Sequence, residues 1–492
     1  MYSGMQSNLL YYFFVYVALN CRTYNDLLIL IKFFIKMRTN KLFLALLVGT
    51  VIFASCKKEE EGEKFSTLSV EENKAKIEDS GIKMVNTLDD MKDVKTIDAS
   101  ISAVDKFDLD DPFSDGITKS EIAATINAIA GLQNGNVNGL YEDLKSAPVI
   151  PEDPNSILEV WEAILGTYSW NDDAESWDYT AGGDIVSFQF PSSETGTVNN
   201  AELIVSNYAG VEIVSPLEEE YTGDLPVSLN MELKVDNNTL MTYSYAASYN
   251  DKGIPTVFAS DLTIEGFTWA IDITNNSEKV SANYKFSNNG ETVMEIGGAV
   301  EGVLTEENYD ANTEYCYDDY TINENGWYSY NDTYCVSSPD GLDDYWTETD
   351  FEEVFHKANA NFQLFNIAIR GDININGMVN KMDEIYANED DENFNWDEAE
   401  QQSITAVNEY TNLSVIDLSS NTIIAKAEAY LKTETDDWGD TYTYMDIRFV
   451  FGDDSYVDAE TYFNDGFDSF INEINALIRE LNADYNFGMD EI

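Results

Sequence analysis

The chain has 492 residues, with 27 Lys+Arg against 91 Asp+Glu and a single His, a formal net charge of −64. Such a surface cannot release counterions from DNA or RNA, and an anionic lipid leaflet repels it. One histidine excludes a paired-histidine metal site and an HExxH motif. A composition of 44% hydrophobic and 13% aromatic residues still supports a packed core.

In chain order, the apolar stretch Leu9 to Ile35 is interrupted by Asn20, Arg22, Asn25 and Asp26. A second begins at Met37, with Arg38 and Lys41 ahead of the apolar run Leu42 to Ala54 and then Cys56. That run has the length of a signal-peptide core and is short for a membrane span. Residues 37–55 therefore read as a signal peptide. Residues 1–36 read as sequence upstream of a true start at Met37, the alternative being a transmembrane hairpin.

The junction Phe53-Ala54-Ser55-Cys56 resembles a bacterial lipobox. The resemblance implies cleavage before Cys56 and a diacylglycerol thioether on its sulfur. The run Lys57-Lys58-Glu59-Glu60-Glu61-Gly62-Glu63 is similar to the acidic export tag of surface-exposed lipoproteins of the Bacteroidota, and Ser69 to Ile82 resembles the start of Flavobacteria-like lipoproteins of that phylum. The likeness covers residues 37–85 and implies an address, lipid-anchored at the outer membrane and facing the cell surface, but no activity. Residues 56–68 form an acidic tether.

Residues 1–55 hold five basic residues and one acid, so the mature chain carries 22 − 90 = −68. Self-repulsion on that scale is relieved by salt or divalent cations. Calcium is the one cofactor left open, with Asp318-Asp319, Asp340 with Asp343-Asp344, Asp390-Asp391-Glu392, and Asp436-Asp437 with Asp440 as oxygen-rich turns. No EF-hand loop occurs and no metal ligand is assigned. Cys316 and Cys335 remain as an even pair in an oxidising compartment. A bridge between them would contribute roughly 3 kcal/mol; two buried thiols are the alternative.

From Ser69 to residue 165 the pattern is helical. Ser69 and Glu72 form a capping box, followed by Ile77, Met84, Leu88, Met91, Val94, Ile97, Ile101 and Val104, with a break expected at Ser80-Gly81. Asp110-Asp111-Pro112 ends this segment, Thr118 and Glu121 make a second box, and a third helix carries Ile157, Val160, Trp161 and Ile164. After Gly166 the period becomes two. Strands are expected at 185–190, 201–207, 227–235, 240–249, 261–269, 270–274, 279–286, 292–296, 362–369 and 372–376. A helix is expected from Asp397 to Asn408, then strands at 414–418, 422–430 and 441–451, and a C-terminal amphipathic helix carrying Phe467, Phe470, Ile471, Ile474, Leu477, Ile478 and Leu481. Asn- and Gly-rich turns between neighbouring strands mean hairpins. The expected fold is α+β: a long antiparallel meander over 166–492, flat or curved into a half-barrel, packed by the N-terminal helices and the C-terminal helix, with one face wet.

Residues 309–350 stand apart, with ten aromatics, eleven acids and no Lys or Arg. They read as a stapled insertion. Trp327, Tyr328, Tyr330, Tyr334, Tyr345 and Trp346 are its ligand candidates, because aromatic faces beside carboxylates stack on sugar rings or form protein contacts. The plainer reading is tyrosines packing on one another. Paired carboxylates could serve a glycosidase, but no spacing singles out a pair, His356 stands alone, and no catalytic residue is assigned. The expected function is a non-enzymatic, lipid-anchored envelope lipoprotein that binds a glycan, an envelope protein or another ligand, and no nucleic acid. The alternatives are a carboxylate-based polysaccharide hydrolase, a structural envelope protein and a lipid carrier. A helix-filled sheet face, a polar aromatic cleft and an open apolar groove would separate these readings.

Overall fold

The computed structural model of the protein describes residues 64–91, 94–109, 157–213, 224–322, 328–336, 346–389, 393–435, 439, 441–464 and 467–485. β1 (Lys64–Phe65) precedes α1 (Val70–Asp90) and α2 (Thr96–Leu109). α3 (Ile157–Ile164) leads into β2 (Gly166–Asn171), β3 (Ser176–Ala181), β4 (Val186–Phe190), β5 (Ala201–Glu212), β6 (Asp224–Val235), β7 (Asn238–Tyr249), β8 (Pro255–Ile264), β9 (Phe267–Asn275), β10 (Lys279–Asn288) and β11 (Glu291–Gly302). α4 (Glu306–Ala311), β12 (Thr313–Ile322), β13 (Tyr328–Val336), β14 (Trp346–Thr349) and α5 (Phe351–Val354) come before β15 (Phe355–Leu364) and β16 (Ile367–Asn374). α6 (Ile375–Tyr386) and α7 (Trp396–Tyr410) separate β16 from β17 (Thr411–Asp417). β18 (Thr422–Thr435), β19 (Thr441–Val450), β20 (Tyr456–Asp458), α8 (Ala459–Asn464) and α9 (Asp468–Tyr485) complete the description.

The fold is α+β, built on a long meander. From β4 to β11 and from β15 to β20, each strand pairs antiparallel with the next, and β11 pairs with β15. Two contacts depart from a pure meander. β4 runs parallel to β2, which leaves β3 outermost, and β1 adds in parallel beside the start of β18. Among the described residues β3 and β20 do not pair with each other, so the sheet is not closed into a barrel.

Register explains why helices gather on one face. The paired row Leu229, Tyr245, Ser260, Ile271, Tyr284, Ile296, Phe362, Ile369, Val415 and Ala425 crosses from β6 to β18 and is apolar apart from one serine. The next row, Asn230, Ser244, Asp261, Ala270, Lys285, Glu295 and Gln363, points the other way and is polar apart from one alanine. Alternation in every strand thus yields one apolar and one wet face.

Helices fill the apolar face. Trp161 of α3 and Ala99 of α2 join the cluster of Phe188, Phe190, Leu229 and Tyr243. Val70 and Ile77 of α1 pack with Ile367, Ile369 and Val415, and its Met84 and Leu88 with Phe267, Phe286 and Phe365. Ile375 and Met378 of α6 cover Ala358 and Ile373, and Tyr462 of α8 covers Phe449 and Phe451.

The capping box at Ser69 and Glu72 forms, each backbone N–H donating to the other's side chain. The break expected at Ser80-Gly81 does not occur, and α1 runs through it. A Cβ on Gly81 would lie 2.7 Å from the Phe470 ring, so the glycine permits the close approach of α9. Glu78 accepts hydrogen bonds from the Ser469 and Phe470 amides and caps that same helix.

Two expected strands, 261–269 and 362–369, are each split by a two-residue hairpin, at Glu265-Gly266 and Phe365-Asn366. The expected strand 372–376 ends at Asn374, whose side chain accepts from the Gly377 amide and starts α6. The β2–β3 hairpin, the first half of β15 and α6 had no counterpart in the expectation. The turn at 110–112, the capping box at Thr118 and Cys56 lie outside the described residues.

Candidate functional site

Two excursions leave the same end of the sheet. One spans 303–354 between the paired residues Gly302 and Phe355; the other begins after Asn374, which pairs with Lys357. Asn308 Nδ2 closes the base of the first excursion by donating to the carbonyls of Val303 and Glu353, both at 3.0 Å, and Asn376 Nδ2 ties the second to it by donating to the Glu352 carbonyl at 3.1 Å. β1 enters at the opposite end, where Phe65 pairs with Ile423, Ile423 with Ile416 and Ile416 with Ala368. Along β16 the two ends are separated by about 20 Å, from the rise per strand residue.

The first excursion is a separate three-stranded sheet, with β12 between β13 and β14. Cys316 and Cys335 face each other across β12 and β13, with Sγ atoms 2.07 Å apart, at disulfide distance. The six candidate aromatics do not share one row. Tyr334 pairs with Tyr317, and their rings stack at 5.9 Å. Tyr328 and Tyr330 lie beyond a bulge between Asp319 and Tyr320, and that bulge shifts their parity against Tyr334. Trp346 pairs with Cys316 on the other flank of β12. Trp327 and Tyr345 lie outside the described residues.

The second excursion carries a feature that the sequence reading missed. Phe394 and Trp396 meet edge to face at 4.9 Å, and Tyr386 stands 6.1 and 6.2 Å from them. Beside these rings lies an open hollow of about 370 Å³, lined by Asn388, Asn393, Phe394, Asn395, Glu398 and Gln402 among others. Asn395 caps α7 by accepting from the Glu398 amide, and Ser403 Oγ donates to Tyr386 Oη at 3.1 Å. The available signal was Asn393-Phe394-Asn395-Trp396, which puts a tryptophan at the first position of a helix and a phenylalanine between two amides. The acidic run Asp390-Asp391-Glu392 drew the reading instead, and it lies outside the described residues.

Carboxylates populate the wet face, but mostly with partners. Lys432 Nζ stands 3.0 Å from Asp446, 3.3 Å from Glu434 and 3.8 Å from Asp458, so the protein's own ammonium occupies that cluster. The Asp446 carboxylate, with Glu434, raises the Lys432 pKa. Asp261 has its pKa raised by partial burial and then by Asp272, which sits diagonally across β8 and β9. Ala259 and Ala270 stand directly across from Asp272 and Asp261, and Ala246 is across from Ala259. His356 is the residue that the β11–β15 ladder skips. Among the described residues no three His, Cys, Asp or Glu side chains converge as a metal group.

The most buried charge is structural. Asp417 is 2% exposed and accepts from Lys76 Nζ, from the Ser419 hydroxyl and amide, and from the Ser420 hydroxyl. Burial alone would raise its pKa. The hydrogen bonds from Lys76, Ser419 and Ser420 outweigh that and hold the carboxyl well below its ordinary range. The pair fastens α1 to the β17–β18 turn. No family model, curated protein or solved structure matches the chain.

Proposed function

We propose that the protein is a lipid-anchored, non-enzymatic lipoprotein of the cell envelope, surface-facing, which offers one end of its sheet to a ligand or partner. The observation that carries this reading is an opposition of ends. The chain following Cys56 joins the sheet at β1, whereas the stapled insertion and the α6–α7 hollow leave from the far end. A tether of seven residues between Cys56 and Lys64 reaches at most about 29 Å, so a lipid on Cys56 would keep the β1 end near the bilayer and turn the other end outward. The helix-filled apolar face supports binding at the surface rather than carriage of a lipid within the sheet.

Metabolic labelling with an alkyne fatty acid, followed by fractionation, tests the anchor. The wild-type protein should take up label and sediment with the outer membrane. Cys56→Ala should take up none and appear in the soluble fraction. Unlabelled wild-type protein, or unchanged sedimentation of Cys56→Ala, would refute the reading. Firm anchoring needs more than one acyl chain, so partial release would point to incomplete acylation.

A further inference from the structure

We infer that the hollow between α6 and α7 is a binding site for a neutral oligosaccharide. The inference rests on the reading that this end of the sheet is the binding end, and it names the ligand class. None of Tyr386, Phe394 and Trp396 belongs to the hydrophobic clusters that hold the sheet, so their grouping is not explained by the core. Of the three rings Phe394 lines the hollow, and Trp396, edge to face against it, is 55% exposed, although it stands on the first turn of a helix whose Ala399, Ile404 and Ala406 are buried. A pyranose presents an apolar C–H face and a rim of hydroxyls. The negative face of an aromatic ring matches the first, and side-chain amides, which both donate and accept, match the second.

Charge selects within that class. Among the described residues no Lys or Arg lines the hollow, and the chain carries −64. A uronate, a sulfated sugar or a nucleotide would meet repulsion with no cation to receive it. Among the described residues the one carboxylate lining it is engaged, since Glu398 accepts from Asn395 Nδ2 at 3.2 Å and from Gln402 Nε2 at 3.3 Å. Asn388, Asn393 and the Gln402 carbonyl complete the polar lining. The bond from Ser403 to Tyr386 and the cap at Asn395 set ring and helix start before any ligand arrives, which lowers the ordering cost of binding. The volume, about 370 Å³, is at the lower end for small-ligand sites and suits one or two sugar residues of a longer chain.

The test is calorimetric titration of the purified full-length protein with cellohexaose, xylohexaose, laminarihexaose, maltohexaose and chitohexaose, with hexagalacturonate and adenosine 5′-monophosphate as controls. At least one neutral hexasaccharide should bind with a Kd between about 10 µM and 1 mM. Phe394→Ala should weaken it at least about tenfold and Phe394→Tyr by less than about threefold, with unchanged melting temperatures. Hexagalacturonate and adenosine 5′-monophosphate should bind at least about tenfold more weakly. The inference is overturned if no neutral hexasaccharide binds at 10 mM (about 3 kcal/mol of affinity), if Phe394→Ala leaves affinity intact, or if either control binds best. Because the measurement is made in solution, it does not depend on acylation of Cys56, so failure here and failure of the anchor are distinguishable.

Discussion

The two halves of the apolar sheet face reach the same burial by different means. Over β2–β8 the core is built of rings: Tyr168, Trp170, Phe188, Phe190, Tyr243, Tyr245 and Phe258. Centroid distances of 5.0 to 5.7 Å link Tyr168 to Phe188, Phe188 to Trp177 and Trp177 to Trp170. Over β16–β19 the core is largely branched aliphatic, with Ile367, Ile369, Leu413, Val415 and Ile424, closed by Phe449, Phe451 and Tyr462. Rings span the distance to short helices such as α3, of eight residues, whereas the aliphatic half lies under α1, of 21 residues. Each choice imports a polar requirement. Buried tyrosines need partners, and Tyr245 and Tyr249 meet at 2.8 Å and both reach the Pro226 carbonyl. The aliphatic half instead carries the buried carboxylate of Asp417. Acid should therefore loosen the aliphatic half, while in alkali each half carries phenols pushed up by burial, Tyr243 and Tyr245 in one and Tyr462 in the other.

The largest effect expected is loss of a core ring. Phe190 is fully buried, and Phe190→Ala should cost about 4 kcal/mol. The two clusters share no residue, so hydrogen exchange should accelerate in β4 and β5 while β16–β18 keep their protection. Equal acceleration in both would mean that the halves are one cooperative core.

Next comes the ion pair. Lys76→Met leaves Asp417 buried without its cation and should cost about 3 kcal/mol. Its pH dependence has a definite sign. The folded-state pKa is depressed, so the stabilisation is present above the unfolded value, about 4, and is lost as pH falls below it. With so many other carboxylates titrating, the measurement is the difference in denaturant stability between wild type and Asp417→Asn. That difference should shrink below pH 4 (about the unfolded Asp value); a constant difference would break the contrast.

Legibility follows the same division. The capping box, the strands of the meander and the wet face could all be read, because period and turn chemistry are local signals. Asn289-Gly290 announces its turn, and both residues are left-handed, at φ 50° and 83°. Phe365 does not, because a bulky residue at φ 48° defies turn preference, yet its ring is buried under Lys83. Parity could have revealed both missed hairpins. Residues flanking a two-residue loop differ by three in number, so the inward set switches from even to odd: Leu262 and Ile264 to Phe267 and Trp269, and Phe362 and Leu364 to Ile367 and Ile369. The hollow escaped because its rings are brought together by the α6–α7 turn, which no periodicity encodes.

A smaller effect tests how α1 is held over the aliphatic half. Gly81→Leu gains helix propensity but drives a side chain into Phe470, and should cost about 2 kcal/mol in net stability. Adding Phe470→Ala to the same chain should recover part of the loss, since the cavity accepts the new side chain. If the double variant shows no recovery, the contact between α1 and α9 is not what the glycine serves.

The smallest effect is alkaline and belongs to the aromatic half. Burial pushes the Tyr243 phenol up to about 12. The neutral form is the one that the fold accepts, so its contribution is complete below the unfolded value, about 10, and is lost as pH rises through the folded value. At pH 11 the loss should be about 1 kcal/mol. Tyr243→Phe has no phenol to ionise, so its stability relative to wild type should improve by that amount between pH 9 and 11 (about one unit either side of the free phenol value). The Asp417→Asn variant should track wild type over the same interval. If instead Tyr243→Phe tracks wild type, the phenol is already accommodated as an anion, and the alkaline weakness of the ring-built half must lie with another tyrosine, of which Tyr245, also shifted upward by burial, is the nearest.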